Sequence, residues 1–140
     1  MKTLFVDDEK AFLEILTKRL EKRGLSPSAV YGGEEALNFL AENTKTDVVV
    51  LDVKMPGMDG LETLTEIKRQ FPLVEVIMLT GHATVDSAIE GMKLGAFDYM
   101  MKPCDLDLLI EKLEGAAARK KDHEDKIMEA RLKEIAGHRV

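Results

Sequence analysis

Short apolar segments and longer stretches of helical periodicity take turns along this chain. The central segment, residues 48–51, is three valines and a leucine without polar alternation, which is typical of a strand buried on both faces. Five segments predict strands, of which the second is weaker, and they cover residues 2–6, 25–31, 48–51, 74–79 and 96–101. Strands that alternate with helices in this way predict an α/β fold, in which helices cover both faces of a parallel sheet.

Five stripes of apolar residues at helical spacing predict the helices. Gly24 stands where the first helix needs a C′ residue, Asn43 closes the second, and Pro72 follows the third. Gly91 lies inside the fourth helix and costs about 1 kcal/mol relative to alanine, so this helix is expected to be the least stable. The stripes are Ala11, Phe12, Ile15, Leu16 and Leu20; Ala36, Leu37 and Leu40; Leu61, Leu64 and Ile67; Val85, Ala88, Ile89 and Met92; and Leu106, Leu109, Ile110 and Leu113.

Pro27 indicates where the second strand lies in the sheet. Proline cannot donate a backbone hydrogen bond, so this strand is expected at an edge. With right-handed crossovers, an edge second strand favours the doubly wound order 2-1-3-4-5. The carboxyl ends of strands 1, 3, 4 and 5 then meet at one crevice, which is where ligands of open α/β sheets bind.

Polar side chains follow these strand ends and form the candidate site. Asp7 and Asp8 follow the first strand, Asp52 follows the third, Thr80 ends the fourth, and Lys102 follows the fifth. Clustered carboxylates repel one another unless a cation joins them, and Mg²⁺ fits best because it keeps waters that a phosphate can replace. With a hydroxyl and a lysine opposite, these residues indicate a pocket that stabilises a transferring phosphoryl group, with a carboxylate as nucleophile.

Four motifs resemble those of two-component response regulator receiver domains: FVDDE, LDVKMPGMDG, MLTGHA and GAFDYMMKP, over roughly residues 2–118. The resemblance implies a flavodoxin-like fold and a phosphoacceptor signalling domain rather than an enzyme. It implies that Asp52 accepts a phosphoryl group from a sensor histidine kinase. It also implies that Asp8, Asp52 and the backbone carbonyl of Lys54 bind Mg²⁺ directly, while Asp7 acts mainly through metal-bound water.

The same resemblance implies a switch. Lys102 would pair with the phosphoryl group, Thr80 would turn toward it, and Tyr99 would swing inward as Thr80 moves. Lys102-Pro103 resembles the family's cis peptide, which would aim the lysine. The surface of the fourth helix, fifth strand and fifth helix would then control an effector domain or partner protein. The segment 80–103 is most similar to receivers of enhancer-dependent transcription activators.

Composition and charge narrow the class of protein. A chain of 140 residues with 45% hydrophobic and 33% charged residues predicts one ordinary globular domain. We expect it in the cytoplasm, because it shows neither a membrane span nor a signal peptide and its one cysteine, Cys104, cannot form an internal disulfide. The net charge of −6 is divided into −8 for residues 1–118 and +2 for 119–140, and the acidic body argues against direct nucleic-acid binding.

Residues 1–118 are expected to form the receiver domain, and 119–140 a charged C-terminal extension or linker. Three alanines at 116–118 favour a helix that continues the fifth one, and a short apolar stripe follows. This helix would pair with a second copy, lead into an effector domain, or remain a solvated extension; a homodimer could also use the fourth-helix surface. The stripe consists of Ile127, Met128, Leu132 and Ile135.

Two alternatives to the phosphoacceptor remain open. A phosphatase with an aspartyl nucleophile would need a second acid two residues after Asp52, where this chain has Lys54. A scaffold with the receiver fold that is never phosphorylated would not need the complete set of acids, hydroxyl and lysine. His82 follows Thr80 closely enough to reach the site.

Overall fold

The protein, described by a computed structural model over residues 1–82 and 84–137, is built on one parallel sheet. Within these residues five strands in the order β2-β1-β3-β4-β5 alternate with five helices, which confirms the predicted fold and strand order. The strands are β1 (Thr3–Val6), β2 (Ser28–Val30), β3 (Val48–Leu51), β4 (Glu75–Thr80) and β5 (Asp98–Met101). The helices are α1 (Lys10–Lys22), α2 (Gly33–Glu42), α3 (Gly60–Gln70), α4 (Val85–Lys93) and α5 (Leu106–Gly137).

The centre of the sheet consists of β1, β3 and β4, all of whose residues are buried. Their register aligns the carboxyl ends: Val6 pairs with Leu51, and Leu51 with Met78. On the other side of β4, Thr80 pairs with Met101 at the end of β5. The residues that follow these strands therefore emerge along one edge of the sheet.

β2 lies at an edge of the sheet, as Pro27 predicted. It pairs only through Ser28, Ala29 and Val30, which are half-buried, so the predicted strand over residues 25–31 is too long. Only one neighbouring strand supplies hydrogen bonds at an edge, and Pro27 cannot take part in that ladder.

Two apolar layers cover the sheet, one on each face. Successive strand residues point to opposite faces, so Leu4 and Val6 pack toward α2 and α3, whereas Phe5 packs toward α1 and α5. The first layer is completed mainly by Ala36, Leu40, Val49, Leu51, Leu64, Ile67, Val76 and Met78. The second is completed mainly by Leu13, Leu16, Leu20, Val48, Val50, Ile77, Leu79, Leu109, Leu113 and Ala116.

The helix ends follow the predicted signals. Gly24 comes directly after the C-cap of α1 and has a φ of +87°, which is the left-handed conformation expected of a C′ glycine. Asn43 is the C-cap of α2, and α3 ends at Gln70, before Pro72.

The predicted stripe is partly wrong in α1 and wrong in α4. Leu16 and Leu20 of the α1 stripe are buried as predicted. In α1, Leu13 is buried while Ile15 is 55% exposed, because two overlapping apolar rows fit the helical period and only the row of Leu13, Leu16 and Leu20 faces the sheet. In α4, Gly91 is the buried residue of the helix. The apolar residues that predicted this helix turn outward instead, and Val85, Ile89 and Met92 are all exposed.

α5 extends beyond the sheet. Its charged residues contact acidic residues at the amino ends of β3 and β4. Lys120 is nine-tenths buried, and its Nζ lies 3.2 Å from Asp47 Oδ1. Arg119 lies 3.8 Å from the buried carboxylate of Glu75. Beyond Lys120 the apolar stripe of the extension is exposed. In the part of the chain that the structure describes, none of the helices combines the length and apolar character that a membrane crossing requires.

Candidate functional site

Five predicted site residues emerge along the carboxyl edge of the sheet. Asp7, Asp8 and Asp52 directly follow β1 and β3, Thr80 is the last residue of β4, and Lys102 directly follows β5. An open cleft of about 530 Å³ lies beside them. Its walls come from the loops after β1, β3 and β4, and they consist of Asp8, Glu9, Val53, Lys54, Met55, Pro56, Asp59 and His82.

Three carboxylates converge beside this cleft, and we call Asp7, Asp8 and Asp52 the acid cluster. One oxygen from each lies within 4.8 Å of the others. Asp7 and Asp52 are buried, whereas Asp8 is exposed to the cleft. Burial raises the pKa of Asp7, and the neighbouring charge of Asp52 raises it further. Oxygen donors with surplus negative charge are the ligands that Mg²⁺ prefers, so the cluster fits this ion.

The two oxygens of Asp7 already have partners within the protein. Oδ1 accepts a hydrogen bond from the backbone N–H of Glu9 at 2.9 Å. Oδ2 accepts one from Lys102 Nζ at 2.5 Å. Each oxygen of Asp7 therefore already accepts a hydrogen bond from within the protein.

Lys102 joins the acid cluster from the side of β5. Its Nζ lies 3.7 Å from Asp52 Oδ2 and 4.1 Å from the centre of the Phe12 ring. Burial lowers the pKa of Lys102, but the hydrogen bond to Asp7 and the charge of Asp52 outweigh burial, so the pKa is raised overall. The ammonium therefore stays charged beside Asp52. The peptide bond between Lys102 and Pro103 is cis.

Hydrogen bonds to β1 and within its own loop fix the position of Asp52. Its backbone N–H donates to Val6 O at 3.0 Å, and its Oδ1 accepts from the N–H of Val53 at 2.8 Å. Oδ2 is the oxygen on the side of Lys102. The carboxylate is thus fixed in one orientation, with one oxygen bound to the backbone and the other facing a cation.

Gly60 lets the first turn of α3 lie directly against the backbone of Asp52. A Cβ at this position would be 2.0 Å from the carbonyl oxygen of Asp52 and 2.6 Å from Val53 Cα. The N–H of Gly60 donates to Val53 O at 2.7 Å, and the preceding Asp59 caps the helix by accepting from Glu62 N. Only a residue without a side chain allows this approach.

The two predicted switch residues bond to different neighbours. Thr80 is fully buried, and its Oγ1 accepts a hydrogen bond from the N–H of His82 at 3.0 Å. Tyr99 is half-buried, and its hydroxyl lies 2.8 Å from Ser87 Oγ on α4. In this structure the hydroxyl of Tyr99 is therefore attached to α4.

Three neighbours of the site, Glu9, Phe12 and Ser87, were not identified from the sequence. Glu9 Oε1 lies 3.5 Å from Lys102 Nζ, and its place directly after the two aspartates was the available signal. Phe12 was assigned only to the helix stripe, and nothing in the sequence pairs Ser87 with Tyr99.

Cys104 is half-buried, and burial raises the pKa of its thiol, in keeping with an unreactive side chain.

Known proteins are similar to this chain over the region that contains these residues. Residues 3–114 match the model of the response regulator receiver domain. The chain is 40% identical over 111 residues to the DNA-binding transcriptional regulator NtrC of Escherichia coli, which covers 79% of this chain and 24% of that protein. It is 39% identical over 119 residues to the transcriptional regulatory protein ZraR of Salmonella typhimurium, covering 85% of this chain and 27% of that protein. The chain thus spans about a quarter of the length of these curated relatives.

Solved structures are similar over most of the chain. A response regulator receiver domain protein from Clostridium thermocellum superposes with a TM-score of 0.81 at 40% identity, covering 86% of this chain and 96% of that one. The receiver domain of NtrX from Brucella abortus gives a TM-score of 0.77 at 31% identity, covering 83% of this chain and 98% of that one.

Proposed function

The chain belongs to the response regulator receiver domain family, and on this premise we propose that it accepts a phosphoryl group on Asp52 from a sensor histidine kinase. Its likeness to receivers of transcription regulators, predicted from residues 80–103, is confirmed by the same comparisons. The observation that carries the proposal is the position of Asp52 Oδ2, 3.7 Å from a charged lysine, in a carboxylate that has two further carboxylates within 4.8 Å. Burying so many charges together is costly for stability, which favours a functional reason for the arrangement.

The proposed chemistry is a transfer between two protein side chains. A carboxylate oxygen of Asp52 forms a bond to phosphorus, while the bond between phosphorus and the phosphohistidine nitrogen breaks. The electron pair of that bond leaves with the histidine nitrogen, and a proton then restores the neutral imidazole. Oδ2 is the suitable nucleophile because the Val53 N–H binds Oδ1. Lys102, charged and 3.7 Å away, lies where it can bind an oxygen of the arriving phosphoryl group.

A small phosphodonor tests this function without a kinase. Acetyl phosphate with Mg²⁺ should produce one labile phosphoryl adduct in the intact mass spectrum, and a chelator should prevent it. The same experiment separates the alternatives: a scaffold with the receiver fold would remain unmodified, and a phosphatase would release phosphate continuously from a phosphomonoester. An unmodified chain after incubation with excess donor and Mg²⁺ would contradict the proposal.

Mg²⁺ is the cofactor that the acid cluster fits, with Asp8, Asp52 and the Lys54 carbonyl as its proposed ligands and Asp7 behind them. When bound, the ion supplies positive charge that offsets the carboxylates and the phosphoryl oxygens. Asp8 is exposed to the cleft, so its replacement should leave the fold intact.

We expect Mg²⁺ to stabilise the protein through Asp8. A ligand that binds only the folded state at ten times its Kd adds about 1.4 kcal/mol to the free energy of unfolding. Thermal melts with increasing Mg²⁺ should show this rise in the unmodified chain but not in Asp8→Asn. Asp86→Asn, an exposed acid on α4, is the matched control and should respond like the unmodified chain. An equal rise in Asp8→Asn would remove Asp8 from the ligand set.

The proposed output surface consists of α4, β5 and α5, and it includes the exposed apolar residues Val85, Ile89 and Met92. A phosphoryl group can change this surface only through contacts that differ between the two states. The hydroxyl of Thr80 offers one, because it accepts from His82 N–H here and would donate to the phosphoryl group after turning. Tyr99, whose hydroxyl contacts α4, is the second residue whose contacts are expected to differ between the two states.

Thr80→Val should separate phosphorylation from switching. The two side chains have similar shape, so Asp52 should still accept the phosphoryl group. Loss of a hydrogen bond to a charged group should lower the ratio of switched to unswitched molecules by about tenfold or more. Amide NMR shifts of residues 84–110 report this ratio. Thr65→Val on the exposed side of α3 is the control. Full shifts in Thr80→Val would contradict the route through Thr80.

The boundary between a receiver domain at 1–118 and an extension at 119–140 stays a prediction. α5 crosses it without interruption, and Lys120 is the last of the buried residues of this helix. We propose that the exposed stripe of Ile127, Met128, Leu132 and Ile135 pairs with the same stripe of a second copy. Cytoplasmic location and control of an effector domain or partner belong to the same proposal, since the curated relatives are regulators several times longer than this chain.

The pairing of the extension predicts a dimer that depends on residues beyond Lys120. Light scattering should show a dimer for the intact chain and a monomer after removal of 121–140, which keeps the Lys120 contact with Asp47. Leu132→Lys should have the same effect, whereas Arg131→Lys should not. An intact chain that is monomeric with and without a phosphoryl mimic would leave this pairing without support.

A further inference from the structure

Tyr99 lies along the inner side of α4 and touches it at two points one helical turn apart. Its hydroxyl is 2.8 Å from Ser87 Oγ. Its ring lies beside Gly91, where an added Cβ would come within 3.6 Å of Tyr99 Cδ2. Gly91 is the buried residue of α4, so Tyr99, together with Met78 and Leu61, lies against the face of α4 that is turned inward.

Ser87 is also the third residue of α4 and completes the cap that Thr84, the N-cap residue, forms. The Thr84 side chain accepts from Ser87 N at 3.0 Å, and Ser87 Oγ accepts from Thr84 N at 3.1 Å, which together make a capping box. The Thr84 hydroxyl and carbonyl oxygen lie 2.9 and 3.1 Å from the same Ser87 Oγ. The hydroxyl that meets Tyr99 is therefore also the one that binds the N-cap residue of the helix.

The hydrogen-bonding capacity of Ser87 Oγ is smaller than the number of its partners. A serine hydroxyl has one proton to donate and two lone pairs to accept, which makes three positions. Four polar atoms compete for them: Thr84 N, Thr84 Oγ1, Thr84 O and the Tyr99 hydroxyl. The capping box uses one of these positions, for Thr84 N, so the Tyr99 hydroxyl competes with the Thr84 hydroxyl and carbonyl oxygen for the two that remain.

We propose that Ser87 is the positioning residue that retains Tyr99 on α4 in the unphosphorylated protein, and that it releases Tyr99 to the benefit of the α4 cap. This inference rests on the proposed switch through Thr80 and Tyr99, and it adds the residue that opposes the switch. When Tyr99 leaves, Thr84 takes the freed position on Ser87 Oγ, so the helix does not lose its cap. The hydrogen bond between Ser87 Oγ and the Tyr99 hydroxyl then opposes switching.

Tyrosine ring NMR tests the retention directly, because the chain has only two tyrosines. With ring-labelled tyrosine and no phosphoryl group present, Ser87→Ala should move the Tyr99 signal from its position in the unsubstituted chain. The signal of Tyr31, an exposed residue before α2, should stay in place. Ser87→Thr, which keeps the hydroxyl, should restore the Tyr99 signal. A Tyr99 signal that does not move in Ser87→Ala would overturn the proposal.

Amide exchange of residues 85–88 tests the sharing. Ser87→Ala removes one of the two bonds of the capping box, from Thr84 N to Ser87 Oγ, and should lower protection about fivefold. Tyr99→Phe keeps the ring beside Gly91 but returns hydroxyl capacity to Thr84, so protection should stay the same or rise. Equal loss of protection in Ser87→Ala and Tyr99→Phe would show that Tyr99 supports the cap rather than competing with it, against the proposal.

The response to a phosphoryl mimic connects Ser87 to switching. One hydrogen bond fewer in the resting state should lower the half-saturating beryllofluoride concentration, with Mg²⁺ present, about fivefold in Ser87→Ala. Ser87→Thr should match the unmodified chain, and equal values in all three proteins would contradict the role of Ser87. If beryllofluoride changes none of them, the proposed phosphoacceptor function fails, while the tyrosine signals of the free proteins still decide the role of Ser87.

Discussion

Asp52→Ala should abolish the phosphoryl adduct formed from acetyl phosphate and Mg²⁺. Within the acid cluster, Asp52 is the carboxylate whose Oδ2 faces Lys102 while the backbone amide of Val53 binds the other oxygen. Asp7 lies closer to Lys102, but both of its oxygens have partners. Alanine leaves neither a nucleophile nor a second acid in the same position, so the expected loss is complete rather than partial. Intact mass spectrometry under mild conditions measures it.

Controls for Asp52→Ala must establish that the variant still folds. Burial is the main cause of the raised pKa of Asp7 and the charge of Asp52 adds to it, so Asp52→Ala should lower that pKa part of the way toward the ordinary value. The variant should remain folded, because it removes one of two neighbouring carboxylates that repel each other. Carboxyl NMR titration measures the pKa of Asp7, and a thermal melt measures the stability of the variant. Asp122→Ala, in the exposed extension where Asp122 pairs with Lys126, should accept the phosphoryl group normally. An adduct of equal yield in Asp52→Ala would move the phosphorylation site to another residue.

Gly60→Ala should strongly destabilise the protein, although it adds only one methyl group. The new Cβ would lie 2.0 Å from Asp52 O, and the atoms that it meets are backbone atoms of Asp52 and Val53, not the movable end of a side chain. Either α3 or the loop after β3 must shift. Overpacking of this kind costs about 3 kcal/mol, which corresponds to a fall in Tm of roughly 10 °C.

Gly81→Ala provides the matched control for this effect. A Cβ at Gly81 has no atom within 4 Å, so the free energy of unfolding should change by no more than about 0.5 kcal/mol. Because the shift in Gly60→Ala displaces the carbonyl of the phosphoacceptor itself, its yield of adduct should also fall below that of Gly81→Ala. A melting temperature for Gly60→Ala equal to that of the control would mean that the close packing at Asp52 is easily relaxed.

The fold and the five side chains at the carboxyl edge of the sheet could be predicted from the sequence alone, although their neighbours Glu9 and Phe12 could not. Apolar runs such as residues 48–51 indicated strands buried on both faces, and Pro27 indicated the edge, which together with right-handed crossovers set the strand order. Because the carboxyl ends of parallel strands meet at one edge, Asp52 and Lys102 could be assigned to one crevice from local signals.

The burial of the helix faces and the contacts between side chains of different elements could not be predicted in this way. The apolar residues of α4 satisfy the helical period equally well pointing in or out, and in the structure Gly91 lies beside Tyr99 and Met78 while Val85 and Ile89 are exposed. The bond between Ser87 and Tyr99 joins residues of two elements whose spacing carries no periodic signal. Such contacts depend on how α4 is rotated about its axis, and that rotation is set by the sum of its packing contacts rather than by any residue in its sequence.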